Sequence, residues 1–234
     1  MLAIVAGRRD EKARHLAERW ASLSAAVLTC EDLSTAGWRH FPGDPDRSEV
    51  VIDGQSVAAC EITGVLTRLS YVPERELRRI VAEDVKYAAV EMTAFLRSWL
   101  FGLKCPVLNR PTANCLSGPG WRHEQWVYAA ARLGIPVQPV TWSPDHASFV
   151  PEGETPPPDV TVTLVGARCL GSADDTLVRQ ARRLAGACGA DLLAVRFSKT
   201  EAGFRFHSAD QWADISLPEV AEAILERFRE AEGC

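Results

Sequence analysis

Residues 1–29 read MLAIVAGRRDEKARHLAERWASLSAAVLT, and the fold class turns on this stretch. Leu2 to Ala6 is a short apolar run stopped by Gly7, the pattern of a buried strand. From Asp10 to Leu23 the residues Ala13, Leu16, Ala17 and Trp20 recur at helical spacing. Ala25 to Thr29 is a second apolar run. Strand, helix and strand in that order are the first unit of an α/β domain with a parallel sheet.

Further along, Trp38-Arg-His-Phe-Pro-Gly-Asp-Pro-Asp46 is turn-rich. Val50–Asp53 and Val57–Cys60 flank Asp53-Gly54, a hairpin signal. Gly64–Leu69 and Cys105–Leu108 read as strands. Between them one long helix is expected from Pro73 to Gly102, with Leu77, Val81, Val85, Ala88, Met92, Phe95, Trp99 and Leu103 as its apolar stripe. A helix from Trp121 to Leu133 ends at Gly134, and Ile135–Val140 is extended. Ser143–Pro158 is then a linker whose triple proline should be stiff. The rest reads ββαββα: Val160–Val165, Arg168–Leu170, a helix Asp174–Cys188, Leu192–Phe197, Gly203–His207 and a closing helix Pro218–Phe228. The expected division is a front domain 1–142, the linker 143–158 and a small α+β segment 159–234.

At 234 residues the chain can bury a sizeable core, and 47% hydrophobic with 24% charged residues excludes disorder. The net charge of −5 argues against a nucleic-acid partner. No apolar run approaches the roughly 20 residues of a membrane helix, and the N-terminus turns charged too early for a signal peptide. Seven cysteines, none spaced C-x2-C, suggest reduced thiols and a cytoplasmic setting. The five histidines have no metal-ligand spacing, and no metal site is expected.

Several polar residues invite a functional reading beside a plain one. Asp84, Tyr87 and Glu91 share a helix face: they line a cleft facing Arg68, or they are a solvated face. Asn109 and Arg110 follow a buried strand, where α/β sheets bind ligands, or Asn109 fixes its loop. Trp121, Arg122, His123, Gln125 and Trp126 form a stacking site, or the tryptophans are core anchors. Ser117-Gly-Pro-Gly120 cradles an anion, or it is a turn. Trp38, Trp142 and Trp212 stand in loop-like stretches and offer interface anchors.

In order along the chain, Gly64-Val-Leu-Thr-Arg-Leu69, Asp84…Tyr87…Glu91, Val107-Leu-Asn-Arg-Pro111, Arg122…Gln125-Trp126 and Gly134-Ile-Pro-Val137 resemble the front domain of ATP-grasp ligases. The similarity is greatest to the RimK-like group, which includes ligases that modify ribosomal peptides. Asp159-Val-Thr-Val-Thr-Leu-Val-Gly166 and Leu192–Phe197 resemble the end of the ATP-grasp domain, and Phe206–Asp210 stands in place of its F-L-E-x-N strand. The resemblance implies an α/β fold: a pre-ATP-grasp-like front domain with parallel sheet and flanking helices, and a remnant of the ATP-grasp C-terminal subdomain.

Three departures from the family pattern bear on activity. Ser143–Pro158 stands where the nucleotide lid belongs and holds no lysine. Arg196 replaces the metal-binding Asp, and Ser208 and Asp210 fall at the Glu and Asn. A Mg²⁺ ion wants oxygen donors, and phosphoryl transfer depends on charge neutralisation. The expectation is a truncated protein without ligase activity and without ATP or Mg²⁺. It would bind a peptide, a protein partner or a small anionic ligand through Arg68, Asp84, Tyr87, Glu91, Asn109, Arg110, Arg122 and Arg196. A homodimer, or a heterodimer with a full-length ATP-grasp enzyme, is the expected assembly, and peptide natural-product maturation the expected setting. Two alternatives stand beside it: an ATP- and Mg²⁺-dependent carboxylate–amine ligase completed in trans, and an enzyme of altered chemistry using His207 with Asp210, or Cys105, Cys115 or Cys169 as nucleophile.

Overall fold

The computed structural model describes residues 1–143, 148–151, 155–171 and 173–232. Its elements run β1 (Leu2–Ala6), α1 (Glu11–Arg19), β2 (Ala26–Leu28), β3 (Glu49–Ile52), β4 (Gln55–Ala58), β5 (Gly64–Arg68), α2 (Val85–Gly102) and β6 (Val107–Leu108). They continue with α3 (His123–Arg132), β7 (Val140–Ser143), β8 (Ser148–Pro151), β9 (Val160–Val165), β10 (Arg168–Leu170), α4 (Asp175–Cys188), β11 (Leu192–Thr200), β12 (Gly203–Asp210) and α5 (Pro218–Glu232). The chain divides into two compact units, Met1–Gly118 with Asp214–Cys234, and Pro119–Ala213. The expected boundaries at 142 and 158 therefore both fall inside the second unit, and the closing helix belongs to the first.

The first unit carries the expected parallel sheet, in the order β2-β1-β5-β6. All five residues of β1 are buried, as a sheet covered on both faces requires. Asp10 caps α1 by accepting the Ala13 N–H at 3.0 Å, and Ala13, Leu16 and Trp20 face inward as their spacing foretells. The hairpin at Asp53-Gly54 forms, with positive φ at both residues (51° and 73°), the geometry of a type I′ turn. From α5, Phe228 packs so closely on β5 that a Cβ at Gly64 would meet its ring at 2.6 Å.

Two expectations about this unit are corrected. The long helix begins at Val85 and not at Pro73. The stretch before it is a 3-10 turn over Glu74–Glu76 and further turns, and Val81 is 63% exposed. The buried Glu76 carboxylate accepts the Arg8 N–H at 3.2 Å, a tertiary bond that ties the segment to the end of β1. The inward face of α2 is accordingly Ala89, Leu96, Trp99 and Leu100. Trp38, expected in a loop-like stretch, is half-buried and packs against this core. Its ring lies edge-on to Phe95 and Trp99, and its Nε1–H donates to the Asp32 carbonyl at 2.8 Å.

The second unit holds the antiparallel sheet β10-β9-β11-β12, with α4 packed on it. Asp174 caps α4, Gly189 ends it in the left-handed conformation, and Leu177, Ala181, Leu184 and Ala185 are its buried stripe. The ββαββα order read from the sequence is the order observed. The expected linker is corrected in part: Ser148–Pro151 is a strand, paired antiparallel with Val140–Ser143. The residues 144–147 and 152–154 of that linker lie outside the described residues. Pro156 and Pro157 are fastened to β11, since Ser198 Oγ lies 3.0 and 2.9 Å from their carbonyl oxygens.

Candidate functional site

In the first unit the expected ligand-binding residues fall into separate places. Arg68, at the end of β5, donates from Nε to Asp10 Oδ2 at 2.8 Å, and both side chains are largely buried (11% and 18% exposed). The arginine thus anchors the α1 cap to the sheet. Asp84, Tyr87 and Glu91 are exposed along α2, and Tyr87 is 70% exposed. Asn109 is buried and serves its own loop: Nδ2 donates to the Ser117 carbonyl, and a Cβ at Gly118 would stand 2.8 Å from its Cβ. Arg110 is exposed and donates to the Cys105 carbonyl at 3.3 Å.

The second unit gathers Arg196, Asp210 and His207 on β11 and β12, with Arg122 exposed at the start of α3. Arg196 stands opposite Ser208 in the strand register, and Ala194 opposite Asp210. Between Arg196 and Phe197 the register shifts, because β12 sets Phe206, His207 and Ser208 against two residues of β11. Such a bulge re-aims the side chains around it. Arg196 Nη1 donates to Asp210 Oδ2 at 2.5 Å, and the other carboxylate oxygen accepts the Trp212 N–H at 2.8 Å. The ring of His207 meets the Ser208 hydroxyl at 3.0 Å. Asp210 is thus bonded to Arg196 and the Trp212 N–H, and the ring of His207 to Ser208.

A small cavity of about 20 Å³ adjoins His207, lined also by His123, Gln138, Ser198 and Arg205. That volume suits a water molecule. No local pattern joins these residues, because they meet through the pairing of β12 with the segment after α3, where Phe206 N–H donates to the Pro136 carbonyl. A far larger groove of about 920 Å³ runs along α3, lined by Trp121, Gln125, Tyr128, Leu133, Val137 and Val140 among others. The two tryptophans of the expected stacking site divide the roles. Trp126 is buried core and Trp121 lines the groove, with ring centroids 4.7 Å apart.

Three of the thiols, Cys30, Cys105 and Cys188, are poor nucleophiles. Burial pushes Cys30 up to about 12 and Cys105 and Cys188 up to about 11, so these remain protonated at neutral pH. Among the described residues no three His, Cys, Asp or Glu side chains converge on a common point. Among the described residues no helix is long and apolar enough to cross a membrane.

Burial also lowers the pKa of His40 and of His207, the latter further through the nearby His123 and Arg196. The unfolded chain then binds more protons than the fold once pH falls to about 6.5. Stability is complete above that value and declines as pH drops towards the depressed folded values. The thermal midpoint should therefore fall between about pH 7.5 and 5.5, and less steeply in H40Q/H207Q. An unchanged slope in that double variant would assign the effect to other groups.

No family model matches the chain, and no curated protein matches its sequence. Solved structures do. The macrocyclase MdnC bound with precursor peptide MdnA, from Microcystis aeruginosa MRC, is 12% identical with a TM-score of 0.71, over 98% of this chain and 100% of that one. The RiPP-associated ATP-grasp ligase of Chryseobacterium gregarium, in complex with ADP and a leader and core peptide, is 9% identical with a TM-score of 0.67, over 98% and 96%. The RimK domain ATP-grasp protein of Sphaerobacter thermophilus is 15% identical with a TM-score of 0.52, over 98% and 100%. At these identities what is shared is the fold.

Proposed function

We propose that this chain, which has the fold of ATP-grasp ligases solved with precursor peptides, binds a peptide and does not ligate it. The observation that carries the reading is the Arg196–Asp210 pair. In the strand pair where the resemblance puts the metal ligands, this chain has a cation, the Ser208 hydroxyl and one carboxylate whose two oxygens are both engaged. That donor set does not fit a hard divalent cation, which takes several oxygen ligands, carboxylates above all. The guanidinium adds positive charge where a Mg²⁺ would have to sit. The absence of lysine from Ser143 to Pro158 points the same way for the nucleotide phosphates, as expected of a shortened lid.

The peptide half of the proposal rests on the α3 groove and on the company this fold keeps. Aromatic and aliphatic walls (Trp121, Tyr128, Leu133, Val137) suit an apolar peptide segment, and Gln125 can orient its backbone. Peptide natural-product maturation in the cytoplasm is the setting that this reading implies.

Titration of Mg·ATP, and of ATP alone, into the purified chain should give no heat, and no ADP should form with time. Mg²⁺-dependent binding or turnover would overturn the reading and favour a carboxylate–amine ligase. Selection from a displayed random-peptide library should enrich sequences that bind the wild-type chain and are lost with Tyr128→Ala. Failure to enrich any would remove the peptide half.

A further inference from the structure

Two buried nitrogens of the first unit have no hydrogen-bond partner among the described residues. Trp99, on the inward side of α2, is 2% exposed, and its Nε1–H meets no acceptor. His40 stands in the turn-rich stretch before β3. Its Nε2 lies 2.9 Å from the Ser98 hydroxyl, and its Nδ1 is buried and unbonded. Native folds rarely leave such groups so, because each has given up its bonds to water and gained none in return.

Both residues line one small cavity, between the segments that flank the β3–β4 hairpin and the end of α2. Its walls include His40, Ser48 and Ala59 on one side and Trp99, Gly102 and Leu103 on the other. Its volume of about 10 Å³ is the space that one water molecule needs, and no larger ligand fits. Ser48 brings a third polar group to the wall. It is 3% exposed, and its Oγ accepts the Phe41 N–H at 3.0 Å and donates to the Asp44 carbonyl at 2.9 Å. One lone pair of that oxygen is left over. A cavity with only apolar walls stays dry, whereas polar groups on three sides hold a water.

We infer that this cavity is a binding site for a single water molecule, held by Trp99, His40 and Ser48. The water accepts the Trp99 Nε1–H and donates to His40 Nδ1 and to Ser48 Oγ. Three bonds are the usual number for a buried water. With Nδ1 as acceptor, the proton of the neutral imidazole is on Nε2, so His40 donates to the Ser98 hydroxyl. The water thereby fixes the tautomer and gives the turn-rich stretch a polar tie to α2. The face of the Trp38 ring is the other group that the Trp99 N–H could meet, since the two rings stand at 88° with centroids 5.8 Å apart. That contact would leave His40 Nδ1 with nothing, whereas the water satisfies both nitrogens at once. The inference does not depend on peptide binding, because the α3 groove belongs to the other unit.

Nuclear magnetic resonance on the full, ¹⁵N-labelled chain at about pH 8, where imidazole is neutral, tests the site. The Trp99 Nε1–H signal, identified by its loss in Trp99→Phe, should show a cross-peak to a long-lived water. His40, identified by its loss in His40→Gln, should carry its proton on Nε2 and none on Nδ1. Gly102→Ala supplies the contrast. Its Cβ would meet only His40 Cε1, at 3.9 Å, so the methyl group fits but takes the room of the water. The water cross-peak should vanish in that variant while the rest of the spectrum stays that of the folded chain. An Nε1–H that sees no water and is shifted upfield by the Trp38 ring would overturn the inference, as would a proton on His40 Nδ1. A water cross-peak that survives Gly102→Ala would place the water outside this cavity and overturn it too. If Gly102→Ala does not fold, the wild-type spectra decide the question alone.

Discussion

Gly171→Ala is expected to lower the stability of the second unit by about 3 kcal/mol, among the largest effects of any single methyl group in this chain. Gly171 has a φ of +110°, outside the regions that residues with a Cβ adopt readily. An added Cβ would also lie 2.4 Å from the Thr161 carbonyl oxygen. That oxygen is backbone and cannot swing aside as a side-chain end would. Thr161 lies in β9, between β10 and β11, and pairs with Arg196 in the strand register. Relief of the clash must therefore move β9 against the strand that carries the Arg196–Asp210 pair. Gly186→Ala is the control. It lies in α4, a Cβ there meets nothing within 4 Å, and removing a helical glycine should add about 0.5–1 kcal/mol. Urea unfolding of both variants tests the contrast, and a Gly171→Ala protein as stable as wild type would refute the account.

The two glycines also show what the sequence could reveal. Asp53-Gly54 was legible because it splits two strand runs, a place where positive φ has a local signature. Gly171 has no such signature, since what forbids a side chain there is a carbonyl on the neighbouring strand. The start of α2 was illegible for a like reason. Pro73 suits a first helical turn and Leu77 continues the spacing, but the bond from Arg8 N–H to Glu76 belongs to the tertiary structure. The β7–β8 hairpin was hidden by the prolines on either side of it, which read as linker.

Of the candidate site, Arg196, Ser208 and Asp210 were set together only by the resemblance; the structure puts Arg196 opposite Ser208 and Asp210 two residues further along β12, beyond the strand end read from the sequence. Arg68, Asn109 and Arg110 could be placed at strand ends, but their partners Asp10, Ser117 and Cys105 could not be chosen from several polar neighbours. The α3 groove was half visible: its tryptophans stood out, while Val137 and Val140 come from a later extended segment.

R196D/S208E is expected to create a response to divalent cations that the wild-type chain lacks. Without metal the variant should be less stable. Asp210 loses its guanidinium partner, a partly exposed pair worth about 1–2 kcal/mol. Two further carboxylates then crowd the same strand pair, and like charges at that range repel. The same crowding is what a hard cation relieves. Arg196 and Ser208 are directly opposed and Asp210 lies two residues beyond Ser208, so the three oxygen-bearing side chains would share one end of the β11–β12 ribbon. A cation at ten times its dissociation constant stabilises by about 1.4 kcal/mol, enough to raise a thermal midpoint by a few degrees. The measurement is the midpoint in Mg²⁺ or Mn²⁺ against chelator, for wild type and variant side by side. A rise confined to the variant would tie the loss of the metal to Arg196 and Ser208. A rise in the wild type would mean that the Arg196–Asp210 pair opens for a cation, and the ligase reading would return. No rise in either would show that the two strands hold these positions too far apart for one ion, and the non-ligase reading would then have to rest on the missing lysines alone.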